Sequence, residues 1–222
     1  MARPVRAGLR LVVTAGPTRE YIDPVRYLSN ESSGKMGFAI AAAARERGHQ
    51  VTLIAGPVNL PTPEGVQRVD VVSARDMLAA LRRAFQEADG LLMAAAVADY
   101  RPARRLGGKW KVKEGQGAGH VKLDLVQNPD LLATVGRNKG ERRIIGFALE
   151  TSNGHKRALE KMLRKNADAI ALNGAAALNA DRTDLTLILR SGEVERFQNR
   201  SKAQIARSLV LAMEGLCAGV RL

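Results

Sequence analysis

A single cysteine, Cys217, occurs among the 222 residues, which excludes a disulfide framework and a thiolate metal cluster and fits a reducing cytoplasm. Aromatic residues contribute only 4% of the chain, too few for the core of an aromatic-rich β-sandwich. No apolar run approaches the ~20 residues of a membrane-spanning helix, and the basic start "MARPVRAGLRLVV" lacks a signal-type apolar region with a small-residue cleavage site. His49, His120 and His155 stand apart without a carboxylate or cysteine at ligand spacing, so no metal site built by the protein alone is expected.

Three catalytic signatures are also missing. The stretch from Ser29 to Met36 imitates a Walker loop, but Ser29 replaces its first glycine and Met36 the magnesium-binding hydroxyl. The dinucleotide fingerprint fails in "GQGAGH", where His120 follows Gly115 and Gly117 and no strand precedes. No G-x-S-x-G nucleophile elbow occurs.

What is present is alternation. Short apolar runs, "LRLVVTAG", "VTLIAG", "VQRVDVV", "GLLMAAAV", "RIIGFAL", "ADAIALN" and "LTLILR", read as strands. Several are apolar on consecutive residues, as strands buried on both faces are. Segments near Lys35 to Arg47, Ala74 to Ala88, Pro129 to Arg137, Gly154 to Asn166 and Ser201 to Leu216 read as helices. Gly48 is placed to end the first, and Asn128-Pro129 reads as the N-cap and first residue of the third. The pattern predicts an α/β fold: one domain, residues 1–222, around a doubly wound, mostly parallel, Rossmann-like sheet. Two stretches, Ala98 to Gln127 and "GAAALNADRTD" from Gly174, fit neither period and read as long functional loops.

The net charge of +13, from 35 basic against 22 acidic residues, suits anionic small molecules as well as nucleic acid. With no RNP aromatics, zinc knuckle or helix-turn-helix, nucleic acid is the weaker reading. In an open parallel sheet, ligands sit beyond the carboxyl ends of the strands, and the informative segments fall there. Ser32, Ser33 and Gly34 open the first helix, where backbone N–H groups make an anion site; alternatively Asn30 or Ser32 only caps it.

The segments "TAGPTREYIDPVRYLSNESSGKMG", "AAAVADYRP", "GKWKVK", "QNPDLL", "IIGFALET" and "KMLRKNAD" occur in the order and spacing of the phosphopantothenoylcysteine synthetase family, also called phosphopantothenate cysteine ligase. The resemblance runs from Leu9 to about Leu216, and "DPVRYLSNESSGKMG" is its most specific part. The sequence resembles the bacterial form that is often half of a bifunctional synthetase/decarboxylase.

The resemblance implies that the carboxylate of 4'-phosphopantothenate attacks the α-phosphate of CTP. Pyrophosphate leaves, and the amine of L-cysteine then displaces CMP from the acyl cytidylate. It implies Mg²⁺ riding on the nucleotide, with Asp99 a candidate contact, no flavin in this chain, flap and dimerisation loops, a homodimer, and decarboxylation by a separate chain or by the other part of a longer one.

For the nucleotide it implies Gly16, Ser32, Ser33, Gly34, Met93, Ala94, Ala95, Asp99, Asn128, Pro129, Asp130, Leu131 and Phe147, with Lys161 and Lys165 from one helical face. Lys109 or Lys111 would meet the phosphates. Ala95, Ala96, Arg26 and Asn30 would contact the acid, with Asn30, Arg26 and Lys109 acting on the reacting groups. The plainer readings are a solvated helix face for Lys161 and Lys165, and ion pairing of Arg26 with Asp23 or Glu20. Departures are Asn173-Gly174, where the family shows N-D, and Leu178, where an aromatic is common. An ATP-dependent ligase and a non-catalytic nucleotide or nucleic-acid binding module are the alternatives.

Overall fold

The structure, a computed structural model, describes residues 8–111, 122–150, 154–174 and 182–219. The "GQGAG" cluster, His120 and Leu178 lie outside the described residues.

The chain runs β1 (Arg10–Ala15), β2 (Arg19–Tyr21), β3 (Tyr27–Ser29), α1 (Lys35–Glu46), β4 (Gln50–Ala55), β5 (Gln67–Asp70), α2 (Ala74–Gln86), β6 (Gly90–Met93) and β7 (Tyr100–Pro102). It continues with β8 (Leu125–Gln127), α3 (Leu131–Arg137), β9 (Arg143–Glu150), α4 (Gly154–Arg164), β10 (Ala169–Gly174), β11 (Arg182–Leu189), β12 (Val194–Ser201) and α5 (Lys202–Ala218).

Among the described residues the main sheet has eight strands in the order β12-β11-β10-β9-β6-β1-β4-β5. Neighbours from β5 to β10 are parallel, and β11 and β12 are antiparallel additions. The central strands are apolar on consecutive residues because both faces are covered: Leu11 to Ala15 and Val51, Leu53, Ile54 and Ala55 are all buried. Helices α1 and α5 pack on one face, with Ile40, Ala41 and Ala44 against Leu209 and Met213. Helices α2, α3 and α4 cover the other through Met77, Leu81, Leu132 and Met162. Burying one such Leu, Ile or Met contributes about 2 kcal/mol.

The chain leaves β1 toward β4 and β5, then crosses back to β6 and continues through β9 to β10. Winding therefore reverses between β1 and β6, and an open parallel sheet carries its ligand crevice outside the carboxyl ends of the strands at such a reversal. Two small ribbons border it: the antiparallel β2–β3 hairpin, inserted between β1 and α1, and the β7–β8 pair after β6.

Several expectations change. Helix α3 starts at Leu131, not Pro129, and Asp130 is its N-cap, accepting from the Ala133 N–H at 2.9 Å. Asn128 is buried instead, donating to the Ala98 carbonyl at 2.9 Å. Neither Asn30 nor Ser32 caps α1; its N-cap is Gly34 in the left-handed region, φ 75°, with no side-chain cap. Lys165 lies one residue past the end of α4, its N–H still donating to the Lys161 carbonyl. Gly48 does sit left-handed just after α1, at φ 83°.

Candidate active site

A row of backbone contacts builds the crevice. The Ala94 N–H donates to the Thr14 carbonyl at 3.2 Å, the Ala96 N–H to the Gly16 carbonyl at 2.9 Å, and the Thr18 N–H to the Ala96 carbonyl at 3.4 Å. Thr14 is wholly buried, and its Oγ1 accepts from the Ala95 N–H at 3.2 Å. The loop after β1 is thereby sewn to the loop after β6.

Glycines let three backbones meet at this point. Gly16 turns the chain at φ 75°, and a Cβ on Gly34 would stand 3.4 Å from the Gly16 backbone. A Cβ on Gly37 would come within 2.5 Å of the Ala15 side chain, so α1 packs directly on β1. These are the jobs of the three glycines in a dinucleotide fingerprint: tight turn, close backbone approach, and close helix–strand packing. Here the β2–β3 hairpin separates the first from the other two. Ser32 Oγ accepts from the Gly34 N–H at 3.3 Å, in the turn that leads into the uncapped start of α1.

Beside this turn lies a cleft of about 160 Å³. Met93, Ala95, Asp99, Asn128, Pro129, Asp130, Leu131, Phe147, Lys161 and Lys165 line it, all expected positions. Val97, Ala98, Gln127 and Leu132 line it too and were not anticipated. Lys161 Nζ donates to the Phe147 carbonyl at 2.6 Å, and Lys165 Nζ pairs with Asp130 Oδ2 at 2.8 Å. Burial works to raise the Asp130 carboxyl, but the Ala133 N–H and Lys165 outweigh it and hold it below the ordinary carboxylate value. Arg101 steadies the rim by donating to the Gln127 carbonyl at 2.6 Å and to Asn128 Oδ1 at 3.1 Å.

Gly16, Ser32, Ser33, Gly34, Ala94, Ala96, Lys109 and Lys111 are not on the cleft wall. The first four lie on the β1–α1 side of the crevice, and Ala94 and Ala96 face it through the sewn loops. Asn30, exposed just past β3, donates from Nδ2 to the Val97 carbonyl at 3.0 Å, which fixes its amide against the cleft-lining loop. Arg26 is engaged: Nε lies 3.6 Å from Asp23 and Nη2 donates to the Trp110 carbonyl at 2.7 Å. Of its two expected ion-pair partners it takes Asp23; Glu20 instead accepts from the Ala74 N–H at 2.8 Å.

A larger groove, about 840 Å³, lies at the amino ends of β1, β4 and β5, bordered by Arg10, Gln50 and Gln67. It is the wrong end of an open parallel sheet for a ligand site, and the converging loops, cations and helix start all belong to the smaller cleft. Among the described residues no group of three or more His, Cys, Asp or Glu side chains is placed to hold a metal, and no helix is long and apolar enough to cross a membrane.

Fold and crevice together define a doubly wound α/β protein with a cation-lined recess at the β6 side of its topological switch point. The chain belongs to the DNA/pantothenate metabolism flavoprotein C-terminal domain family, whose model matches residues 6–216. It is 47% identical over 190 residues to the coenzyme A biosynthesis bifunctional protein CoaBC of Escherichia coli (strain K12), covering 83% of this chain and 47% of that protein. To the Haemophilus influenzae protein of the same name it is 45% identical over 207 residues, 91% of this chain and 50% of the relative. The chain thus spans about half the length of the curated relatives it matches. The crystal structure of the C-terminal domain of CoaBC superposes with a TM-score of 0.81 at 39% identity, covering 96% of this chain and 97% of that one.

Proposed function

We propose that the chain is the ligase of coenzyme A biosynthesis that joins 4'-phosphopantothenate to L-cysteine, driven by CTP. The observation that carries the reading is the cleft wall: ten of the residues that the family resemblance assigns to a nucleotide, from four separate segments, line one recess beside the carboxyl end of β6. Its similarity to CoaBC proteins over one half of their length supports the pathway.

A cleft of about 160 Å³ is below the ~300 Å³ of ordinary ligand sites, so it suits base and ribose. Lys161 and Lys165 then border the nucleoside, and the triphosphate extends out of the cleft toward the uncapped start of α1. The carboxylate of 4'-phosphopantothenate attacks the α-phosphate, the bond to pyrophosphate breaks, and an acyl cytidylate forms. The cysteine amine then adds to the acyl carbon, CMP departs with the electron pair of the broken bond, and the amine loses its proton. Fixed cations and N–H groups answer the growing phosphate charge, and Asn30 addresses the acyl group from the neighbouring loop. Mg²⁺ supplies further charge neutralisation when bound. With Asp130 spent on Lys165 and the helix cap, Asp99 is the wall carboxylate that would offer this hard ion an oxygen ligand. On this reading the protein is a homodimer, and decarboxylation of the product belongs to a separate activity.

The test is pyrophosphate release from CTP before cysteine is added. Release that requires 4'-phosphopantothenate is expected, and release without the acid, or none, overturns the ligase. Faster release from ATP would replace the nucleotide, and binding of CTP without turnover would leave only a binding module.

A further inference from the structure

Lys109 and Lys111 flank Trp110, and the segment bearing them is fastened by its backbone to the tip of the β2–β3 hairpin. The Trp110 N–H donates to Asp23 Oδ2 at 3.0 Å, and the Trp110 carbonyl accepts from Arg26 Nη2 at 2.7 Å. Earlier in the same segment the Leu106 N–H donates to the Ile22 carbonyl at 2.8 Å, and the Arg105 guanidinium lies 4.9 Å from the centre of the Tyr21 ring.

Asp23 has no exposed surface. A carboxylate so placed is costly unless its lone pairs are met. Its Oδ1 accepts from the Val25 and Arg26 N–H groups, both at 2.8 Å, which is the hairpin's own turn. Its Oδ2 has the Trp110 N–H as its hydrogen-bond donor, with Arg26 Nε at 3.6 Å. The two oxygens have separate duties: one shapes the turn and the other grips the lysine segment. Consistent with that, the Trp110 N–H is the main cause holding the Asp23 carboxyl below its ordinary value.

The hairpin that receives this segment ends in Asn30, whose amide is fixed to Val97 on the cleft wall. One line of contacts therefore runs from the lysines through the hairpin to the recess. We propose that Asp23 is a positioning residue: by gripping the Trp110 backbone it presets Lys109 and Lys111 beside the hairpin and the crevice. Its catalytic consequence rests on the ligase reading above, whereas the grip itself does not. A preset cation adds to phosphate-charge stabilisation without the entropy of ordering a loop during turnover.

Trp110 is the only tryptophan of the chain, and it is half-buried, so its emission reports the grip directly. Asp23→Asn keeps an acceptor for the turn but presents an N–H donor to the Trp110 N–H. The expected result is red-shifted emission, stronger acrylamide quenching, and a fall of roughly tenfold in kcat for pyrophosphate release, with KM for cysteine unchanged. Trp110→Pro removes the same hydrogen bond from the other side. The double variant should be no slower than the slower single one, because both remove one interaction.

Wild-type emission and quenching in Asp23→Asn, or losses that multiply in the double variant, overturn the proposal. Should Asp23→Asn fail to fold, amide exchange on the wild-type protein decides: slow exchange at Trp110 supports the grip, and exchange at the unprotected rate removes it. A wild-type protein that releases no pyrophosphate would sink the ligase reading, while emission and exchange would still decide the role of Asp23.

Discussion

Asn30 donates to the Val97 carbonyl at 3.0 Å, so Asn30→Asp would set two acceptors against each other and turn the side chain away from the cleft loop. Cysteine transfer is expected to fall about tenfold, roughly the worth of one hydrogen bond, while pyrophosphate release changes less; equal loss in both half-reactions would remove the assigned role. Lys165 gives a different split. Its partner Asp130 is 42% exposed and keeps its place at the start of α3, so Lys165→Met should alter stability by less than ~1 kcal/mol. KM for CTP should nevertheless rise about tenfold, read from initial rates beside a thermal melt. Both positions came from the family resemblance, which their distinctive, order-preserving segments carry; the structure puts Lys165 on the cleft wall and Asn30 against the loop beside it. Asp23 was legible only as a partner for Arg26: nothing in "DPVR" says that its carboxylate is buried or that it meets a backbone N–H 87 residues away.

Helix α1 stands on β1 with no room between them, and this decides the sign of an otherwise favourable change. Gly→Ala inside a helix usually gains up to ~1 kcal/mol. At Gly37 the new methyl would lie 2.5 Å from the Ala15 Cβ and 2.9 Å from the Thr14 carbonyl. Overpacking of this kind costs about 1–3 kcal/mol, so Gly37→Ala should lower the urea midpoint and, by lifting the helix start, weaken CTP binding; an unchanged midpoint would show that the interface can relax. The parallel strands and major helices were legible from consecutive apolar residues and helical periodicity. Strand β12 was not, because Phe197 is its one buried side chain, and a polar edge strand shows no alternation. The ribbons were hidden for another reason: strands of three residues are shorter than any period that could reveal them. Gly16 and Gly34 were singled out, but the roles they share with Gly37 were not legible, because a hairpin stands between them and only the folded chain brings Gly16 back to Gly34.

Charge governs how the molecule as a whole responds to acid. Asp23, Asp130 and Glu214 all have carboxyls below their ordinary values of 3.8 or 4.5. For Glu214 the first cause is its hydrogen bonding to Arg47 on the neighbouring helix end. A depressed folded value means that the stabilisation is complete above the unfolded value and is lost as pH falls through the folded one. Urea midpoints should therefore be flat near neutrality and fall below about pH 4.5, more steeply because protonation adds to a charge that is already +13. Rising stability over that interval would contradict the three assignments. Cys217 contributes nothing there: burial pushes its thiol up to about 12.

The hairpin inserted between Gly16 and Gly34 has one further consequence for the proposed ligase. The recess is walled by β6 and the loop after it, β9, the start of α3 and the last turn of α4 with Lys165 just beyond, whereas Asn30 and the carboxylate that grips Trp110 ride on the insertion. Damage to the insertion would leave a protein that still captures its first reactants but cannot release them as product.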